Sequence, residues 1–202
     1  HGTTLYRSRK FRKRRLGFFS KLKMSETKYI ILDRDGVINV DLFDYVTKPN
    51  DFKFETGSLE ALKLLTIHNF KIVVATNQAC ISLGIATQEE IENVNLHMKQ
   101  KVKEFGSEIL HIEVCPHKPE DNCNCRKPKT GLLTSAEEIL NINLKGCYFI
   151  GDKFSDVQCA LNHECIPLLV KTGYGETTLK NHDTSQAKVF ENLFSATKFI
   201  CN

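Results

Sequence analysis

Asp33 and Asp35 stand two residues apart in the run KYIILDRDGVIN, from Lys28 to Asn39, with Gly36 directly after them. Two carboxylates that close repel each other unless a cation or a shared proton joins them. Magnesium suits such a pair, because it takes carboxylate and carbonyl oxygens in an octahedral shell and keeps waters and substrate phosphate as its other ligands. The plainer alternative is that both acids only cap and turn the chain. Three later places carry groups of matching chemistry. Thr76, with Asn77 and Gln78, offers a hydroxyl and backbone N–H groups able to hold a phosphoryl oxygen, although a threonine there could merely cap a turn. Arg126 and Lys127 could neutralise the charge on a transferring phosphoryl group, or form a solvated surface pair. Asp152, in GDKFSD, is placed to be a third acidic magnesium ligand, or else a helix N-cap.

A second set of chemical groups is packed into one short stretch. Cys115, His117, Cys123 and Cys125 follow a C-x-H-x5-C-x-C spacing. Four soft or borderline ligands form a complete tetrahedral zinc set, and a site filled by protein on all four corners is structural. The expected task of such a zinc is to fix a long loop and aim Arg126 and Lys127. Cys80, Cys147, Cys159, Cys165 and Cys201 lack partners of this kind and are read as core or surface thiols.

Strands must deliver these groups to one place. Tyr29–Leu32, Lys71–Thr76, Ile109–Val114, Cys147–Ile150 and Ile166–Val170 are short apolar runs of the kind buried on both faces of a parallel sheet. Between them lie stretches with helical periodicity: Leu59, Ala61, Leu62 and Leu65; then Ile91, Val94, Met98, Val102 and Phe105, opened by a Thr87/Glu90 capping box; then Leu132, Leu133, Ala136, Ile139 and Leu140; then Val157, Ala160 and Leu161. The tail from Val189 to Ile200 reads as a last short strand and helix. Alternating strands and helices predict an α/β fold, a Rossmann-like parallel sheet with helices on both faces. In such sheets ligands sit beyond the carboxyl ends of the strands, where Asp33, Thr76 and Asp152 all fall. No connection is long enough for a large lid, so an open, capless site is expected.

The chain of 202 residues, 41% hydrophobic, has enough length for one buried core, which we assign to residues 24–202 as a single domain. Its net charge of +4 is unevenly spread. Residues 1–23 hold nine of the 28 basic residues and no acid, leaving 19 bases against 24 acids in residues 24–202, a net charge of −5. The basic leader could contact nucleic acid or an anionic membrane, but Met24 directly precedes the first strand, and we read the leader as non-native or disordered. Neither nucleic acid nor a membrane is therefore an expected partner. A chain this size needs no disulfide staples and shows no signal peptide, so the expectation is a cytoplasmic monomer acting on a small phosphorylated molecule.

Taken together, DRDGVIN, TNQ, RKPK and GDKFSD resemble the four ordered motifs of the haloacid dehalogenase superfamily of phosphatases. The resemblance implies a capless core of that superfamily carrying the zinc-binding loop. It makes Asp33 the nucleophile that forms an aspartyl-phosphate, and Asp35 the general acid that then becomes the base for water. It gives magnesium the Asp33 side chain, the Asp35 backbone carbonyl and Asp152, with Thr76 and Lys127 stabilising the transferred group. CPHKPEDNCNCRKPK resembles the branch that holds histidinol-phosphate and heptose-bisphosphate phosphatases. NVDLFDYV, Asn39 to Val46, is similar to the sugar-contacting loop of the heptose enzymes, which implies substrate contacts at Asp41 and Tyr45; Lys153 resembles a further one. The heptose reading is preferred, with histidinol phosphate as the alternative substrate. Ala79 to Gly84 departs from the SGIARG usual there, and Thr130 replaces a common proline.

Overall fold

The computed structural model describes residues 1–2 and 28–202. The basic leader of residues 1–23 lies almost wholly outside the described residues. Six parallel strands, β1 (Lys28–Leu32), β2 (Phe70–Asn77), β3 (Ile109–Cys115), β4 (Tyr148–Gly151), β5 (Ile166–Val170) and β6 (Lys188–Phe190), form one sheet in the order β3-β2-β1-β4-β5-β6. The order reverses direction beside β1, between β2 and β4, and a crevice at such a reversal is where open α/β sheets bind ligands. Six helices connect or follow the strands: α1 (Ser58–Ile67), α2 (Gln88–Glu104), α3 (Gly131–Leu140), α4 (Phe154–Asn162), α5 (Gly175–Asn181) and α6 (Leu193–Cys201).

The period-2 alternation of each central strand assigns its side chains to the two faces. Ile30, Leu32, Ile72, Val74 and Ile150 pack with Ala61, Leu62 and Leu65 of α1, Val94, Met98 and Val102 of α2, and Leu193 and Ala196 of α6. Ile31, Val73, Ala75 and Phe149 face the other way, onto Leu132, Leu133 and Ala136 of α3 and Cys159 and Ala160 of α4. Helices therefore cover both faces. The expected capping box opens α2, with Thr87 Oγ1 accepting from Glu90 N–H at 3.1 Å and Glu90 Oε2 accepting from Thr87 N–H at 2.8 Å.

Two details differ from the sequence reading. The fourth strand begins at Tyr148, because Cys147 N–H is taken by Leu144 O at 3.1 Å in a turn, and it runs on through Gly151, paired with Leu169. Helix α5 is unanticipated. It buries only Gly175 and Thr178 fully, so no apolar stripe announced it. Among the described residues no helix is long and apolar enough to cross a membrane.

Candidate active site

Each central strand ends by releasing one functional group into the same crevice. After β1 the chain turns at Gly36, with φ of 82°; a Cβ there would collide with the Asp152 carboxylate, and the same holds for Gly173. Two glycines thus let backbone close around Asp152 where no side chain could fit. Thr76 belongs to β2 itself, paired with Val114, which removes its reading as a turn cap. Nor is Asp152 an N-cap. Helix α4 is capped at Lys153, whose N–H donates to Asp156 Oδ2 at 3.0 Å.

The deepest layer is a cluster of buried charges. Lys127 Nζ lies 2.9 Å from Asp33 Oδ1, 2.6 Å from Asp156 Oδ1 and 2.8 Å from the carbonyl oxygen of Ala75. Burial alone would lower the Lys127 pKa, but Asp156 and Asp33 outweigh it and raise it. Asp33 Oδ1 also accepts from Arg34 N–H at 2.7 Å. Burial pushes the Asp33 carboxyl up to about 6 against the opposing pull of Lys127. Asp152 is fully buried, accepts from Tyr174 N–H through Oδ2 at 2.8 Å, and leaves Oδ1 without a hydrogen-bond partner. Its carboxyl is raised well above the usual range by burial.

Asp35 has the opposite electrostatics. Its Oδ1 accepts from Arg34 Nη2 at 3.1 Å and Asn39 Nδ2 at 2.9 Å, while Oδ2 accepts from Arg34 Nε at 3.2 Å and Gln78 Nε2 at 2.7 Å. Burial would raise this carboxyl, yet the Arg34 guanidinium with the Asn39 and Gln78 amides holds it below its ordinary value. Arg34 itself is completely buried and anchored by Asn95 Oδ1 of α2, 3.1 Å from Nη1.

Above this layer opens a cavity of about 400 Å³. Asp33, Asp35, Asp41, Tyr45, Thr76, Asn77, Gln78, Arg126, Lys127 and Lys153 all line it, so the expected catalytic and substrate-contacting residues share one hollow. Asp152 lies beneath. Asn77 and Gln78 also serve the chain. Asn77 clamps the Lys127 backbone, donating to its carbonyl at 3.3 Å and accepting from its N–H at 3.1 Å. Gln78 Nε2 bridges Asp35 and Thr76 Oγ1, the latter at 2.8 Å. Lys153 Nζ reaches Asp41 Oδ2 at 3.0 Å, and burial, which would lower its pKa, is outweighed by Asp152, Asp33 and Asp41.

Among the described residues, two sets of side chains have the make-up of metal sites. Asp33, Asp152 and Asp156 bring carboxylate oxygens within 4.8 Å of one another. With the orphaned Asp152 Oδ1 among them, this donor set fits a hard, oxygen-seeking cation. The second set is Cys115, His117, Cys123 and Cys125. Cys125 Sγ lies 3.2 Å from Cys115 Sγ, 3.4 Å from Cys123 Sγ and 3.3 Å from His117 Nδ1; Cys115 Sγ lies 3.7 Å from both Cys123 Sγ and His117 Nδ1. Zinc–sulfur bonds of about 2.3 Å would space tetrahedral ligands about 3.8 Å apart. The four groups outline a slightly contracted tetrahedron of that size. The loop also holds Arg126, whose Nη1 donates to His117 O at 2.9 Å and whose N–H meets Cys123 Sγ at 3.3 Å.

Asp156, Arg34 and Asn95 were absent from the sequence-derived site, as were Phe43 and Tyr174 on the cavity wall. Asp156, Arg34 and Phe43 stood inside the motifs GDKFSD, DRDGVIN and NVDLFDYV, whose other residues were assigned roles. The approach of Asp156 depends on Gly151, where a Cβ would overlap the Asp156 side chain.

Comparison with known proteins places this arrangement. A HAD-hydrolase-like family matches residues 124–196. The D-glycero-beta-D-manno-heptose-1,7-bisphosphate 7-phosphatase of Pseudomonas putida is 39% identical over 166 residues, 82% of this chain and 95% of that protein. The Helicobacter pylori enzyme of the same name is 39% identical over 140 residues, 69% of this chain and 80% of its own. The crystal structure of D,D-heptose 1,7-bisphosphate phosphatase from B. bronchiseptica, complexed with magnesium and phosphate, superposes with a TM-score of 0.81 at 33% identity, covering 86% of this chain and 97% of that one. Its buried acids, its cavity and these relatives agree: the chain belongs to the D-glycero-beta-D-manno-heptose-1,7-bisphosphate 7-phosphatase family of haloacid-dehalogenase-like hydrolases.

Proposed function

We propose that this protein removes the 7-phosphate of D-glycero-beta-D-manno-heptose 1,7-bisphosphate, in the making of nucleotide-activated heptose for cell-envelope lipopolysaccharide. The observation that carries the chemistry is the pairing of buried Asp33 with Lys127 at the floor of a polar cavity. Near-full-length similarity to named heptose-bisphosphate phosphatases supports the substrate over histidinol phosphate.

Asp33 Oδ1 is held by Lys127 and Arg34 N–H, which leaves Oδ2 as the attacking oxygen. It bonds to phosphorus as the bond to the sugar oxygen breaks, and the electron pair leaves with that oxygen, which takes a proton from Asp35. Asp35, now a carboxylate, removes a proton from water, whose oxygen attacks the phosphorus. The Asp33–phosphorus bond breaks, and inorganic phosphate and the free carboxylate result. The four donors around Asp35 favour its carboxylate form, so its base step suits the observed conformation. Its acid step requires one oxygen to leave the clamp. Thr76 Oγ1 and Lys127 offer donors to the oxygens of the group in transfer. Asp33 and Asp152, joined by the Asp35 carbonyl, would hold magnesium, which supplies charge neutralisation to the phosphoryl oxygens. Cys115, His117, Cys123 and Cys125 would hold a structural zinc.

The test is phosphate release from heptose 1,7-bisphosphate and from histidinol phosphate, each with magnesium and with a chelator. Selective, magnesium-dependent release from the heptose compound is expected. Faster release from histidinol phosphate would overturn the substrate and keep the reaction.

A further inference from the structure

One wall of the cavity departs from its polar surroundings. Phe43 lines it with 67% of its surface exposed, an apolar ring presented to solvent beside Asp41, Asp44 and Lys153. Its backbone is left-handed, at φ 57°, a region that bulky residues rarely adopt. Such a conformation persists only where surrounding contacts determine it, and those contacts form a closed circuit. Phe43 N–H donates to Asp41 Oδ1 at 2.7 Å, and Asp41 Oδ2 accepts from Lys153. The Lys153 ammonium lies 4.6 Å from the centre of the Tyr174 ring, and the Phe43 and Tyr174 rings meet at 72° with centroids 5.1 Å apart. Tyr174 N–H then ends the circuit on Asp152. The exposed ring is thereby tied to the deepest acid of the site.

We propose that Phe43 and Tyr174 form an aromatic lip that packs on the C–H face of a sugar ring whose phosphate lies over Asp33, selecting cyclic over acyclic phosphomonoesters. This rests on the sugar-phosphate reading above. Sugar C–H bonds carry partial positive charge, and the faces of aromatic rings are negative. Asp41, Asp44 and Lys153 stand beside the lip to meet hydroxyl groups, so one wall offers both the apolar and the polar contacts of a carbohydrate site. A flexible acyclic phosphate has no rigid face to present.

The sequence contains no tryptophan. Phe43→Trp in an Asp33→Asn background therefore installs a sole indole at the lip of a protein that binds without turnover. Saturable change in its emission with heptose 1,7-bisphosphate, and none with inorganic phosphate or glycerol phosphate, is expected. The same change with inorganic phosphate, or none while calorimetry registers heptose bisphosphate binding, overturns the lip. In the otherwise native chain, Phe43→Ala should lower the ratio of kcat/KM for cyclic over acyclic substrates by about fivefold to tenfold, and Phe43→Tyr should restore it. An unchanged ratio overturns the proposal. Measured with glucose 6-phosphate against glycerol phosphate, the same ratio reads the lip even if heptose bisphosphate proves not to be the native substrate, so the two readings fail separately.

Discussion

The carboxylate cluster and the thiol–imidazole cluster are built on opposite plans. Asp33 and Asp152 follow two strands far apart in sequence and Asp156 lies in the first turn of α4; all three are buried, and Lys127 pairs with Asp33 and Asp156. Cys115, His117, Cys123 and Cys125 come from a single loop of eleven residues, and three of the four are partly exposed. The first leaves Asp152 Oδ1 without a partner, a carboxylate oxygen left over for the proposed magnesium. The second has all four corners of a tetrahedron filled by protein, which closes it to substrate. Openness at one site and closure at the other separate the chemistry from its scaffold.

Breaking the open site should have the largest effect on rate. Asp33→Asn removes the proposed nucleophile while preserving shape, and turnover should fall by about four orders of magnitude or more. Removing a buried negative charge whose pKa is already raised should not cost stability, so the melting temperature should hold or rise. A variant that keeps near-native turnover would remove the covalent route.

Lys127 belongs to both regions, since it follows Cys125, a proposed zinc ligand, by two residues and ends between two acids of the open site. Lys127→Met should strand Asp33 and Asp156 as buried unpaired carboxylates, lowering unfolding free energy by roughly 3–5 kcal/mol as well as abolishing turnover. Urea denaturation checks this, and a loss under about 1 kcal/mol would mean that the two acids do not depend on the lysine.

At the closed site the pattern should invert. Cys123→Ser should reduce bound zinc and lower the melting temperature by about 5–10 °C, while turnover of the remaining folded enzyme changes less than about tenfold. Elemental analysis with thermal melts provides the measurement. Full zinc content in the variant would dissolve the assigned cluster.

The same contrast explains what the sequence made legible. That the four side chains of the closed cluster come together could be read from spacing alone, because they lie close in sequence. The open cluster could be read only by assuming that strand ends converge, and the parallel order of β1, β2 and β4 supplies that convergence. What stayed hidden depends on conformations that sequence patterns do not carry. Phe43 reaches the cavity through a left-handed backbone, and Asp156 approaches its partners because Gly151 has no side chain. Asn77 and Gln78 were expected to face substrate, and the structure also shows them bonded to Lys127, Asp35 and Thr76, a matter of rotamers rather than of spacing. Helix α5 has too little apolar periodicity to be seen.

The smallest expected effect tests whether the open site extends beyond its first layer. Asn95 is a buried polar residue among the apolar positions of α2, and its Oδ1 is the acceptor for Arg34 Nη1. Asn95→Leu leaves a fully buried guanidinium one acceptor short, which should cost about 1–3 kcal/mol in urea denaturation. Arg34 would keep its bonds to both Asp35 oxygens but lose the contact that fixes its plane, so kcat should fall a few-fold with little change in KM. Asn95→Asp restores an acceptor and should recover stability, yet its charge competes with Asp35 for the same guanidinium, so kcat should stay low. Recovery of both in Asn95→Asp would confine Asn95 to packing; recovery of stability alone would make it a positioning residue for Asp35, one helix away from the reaction.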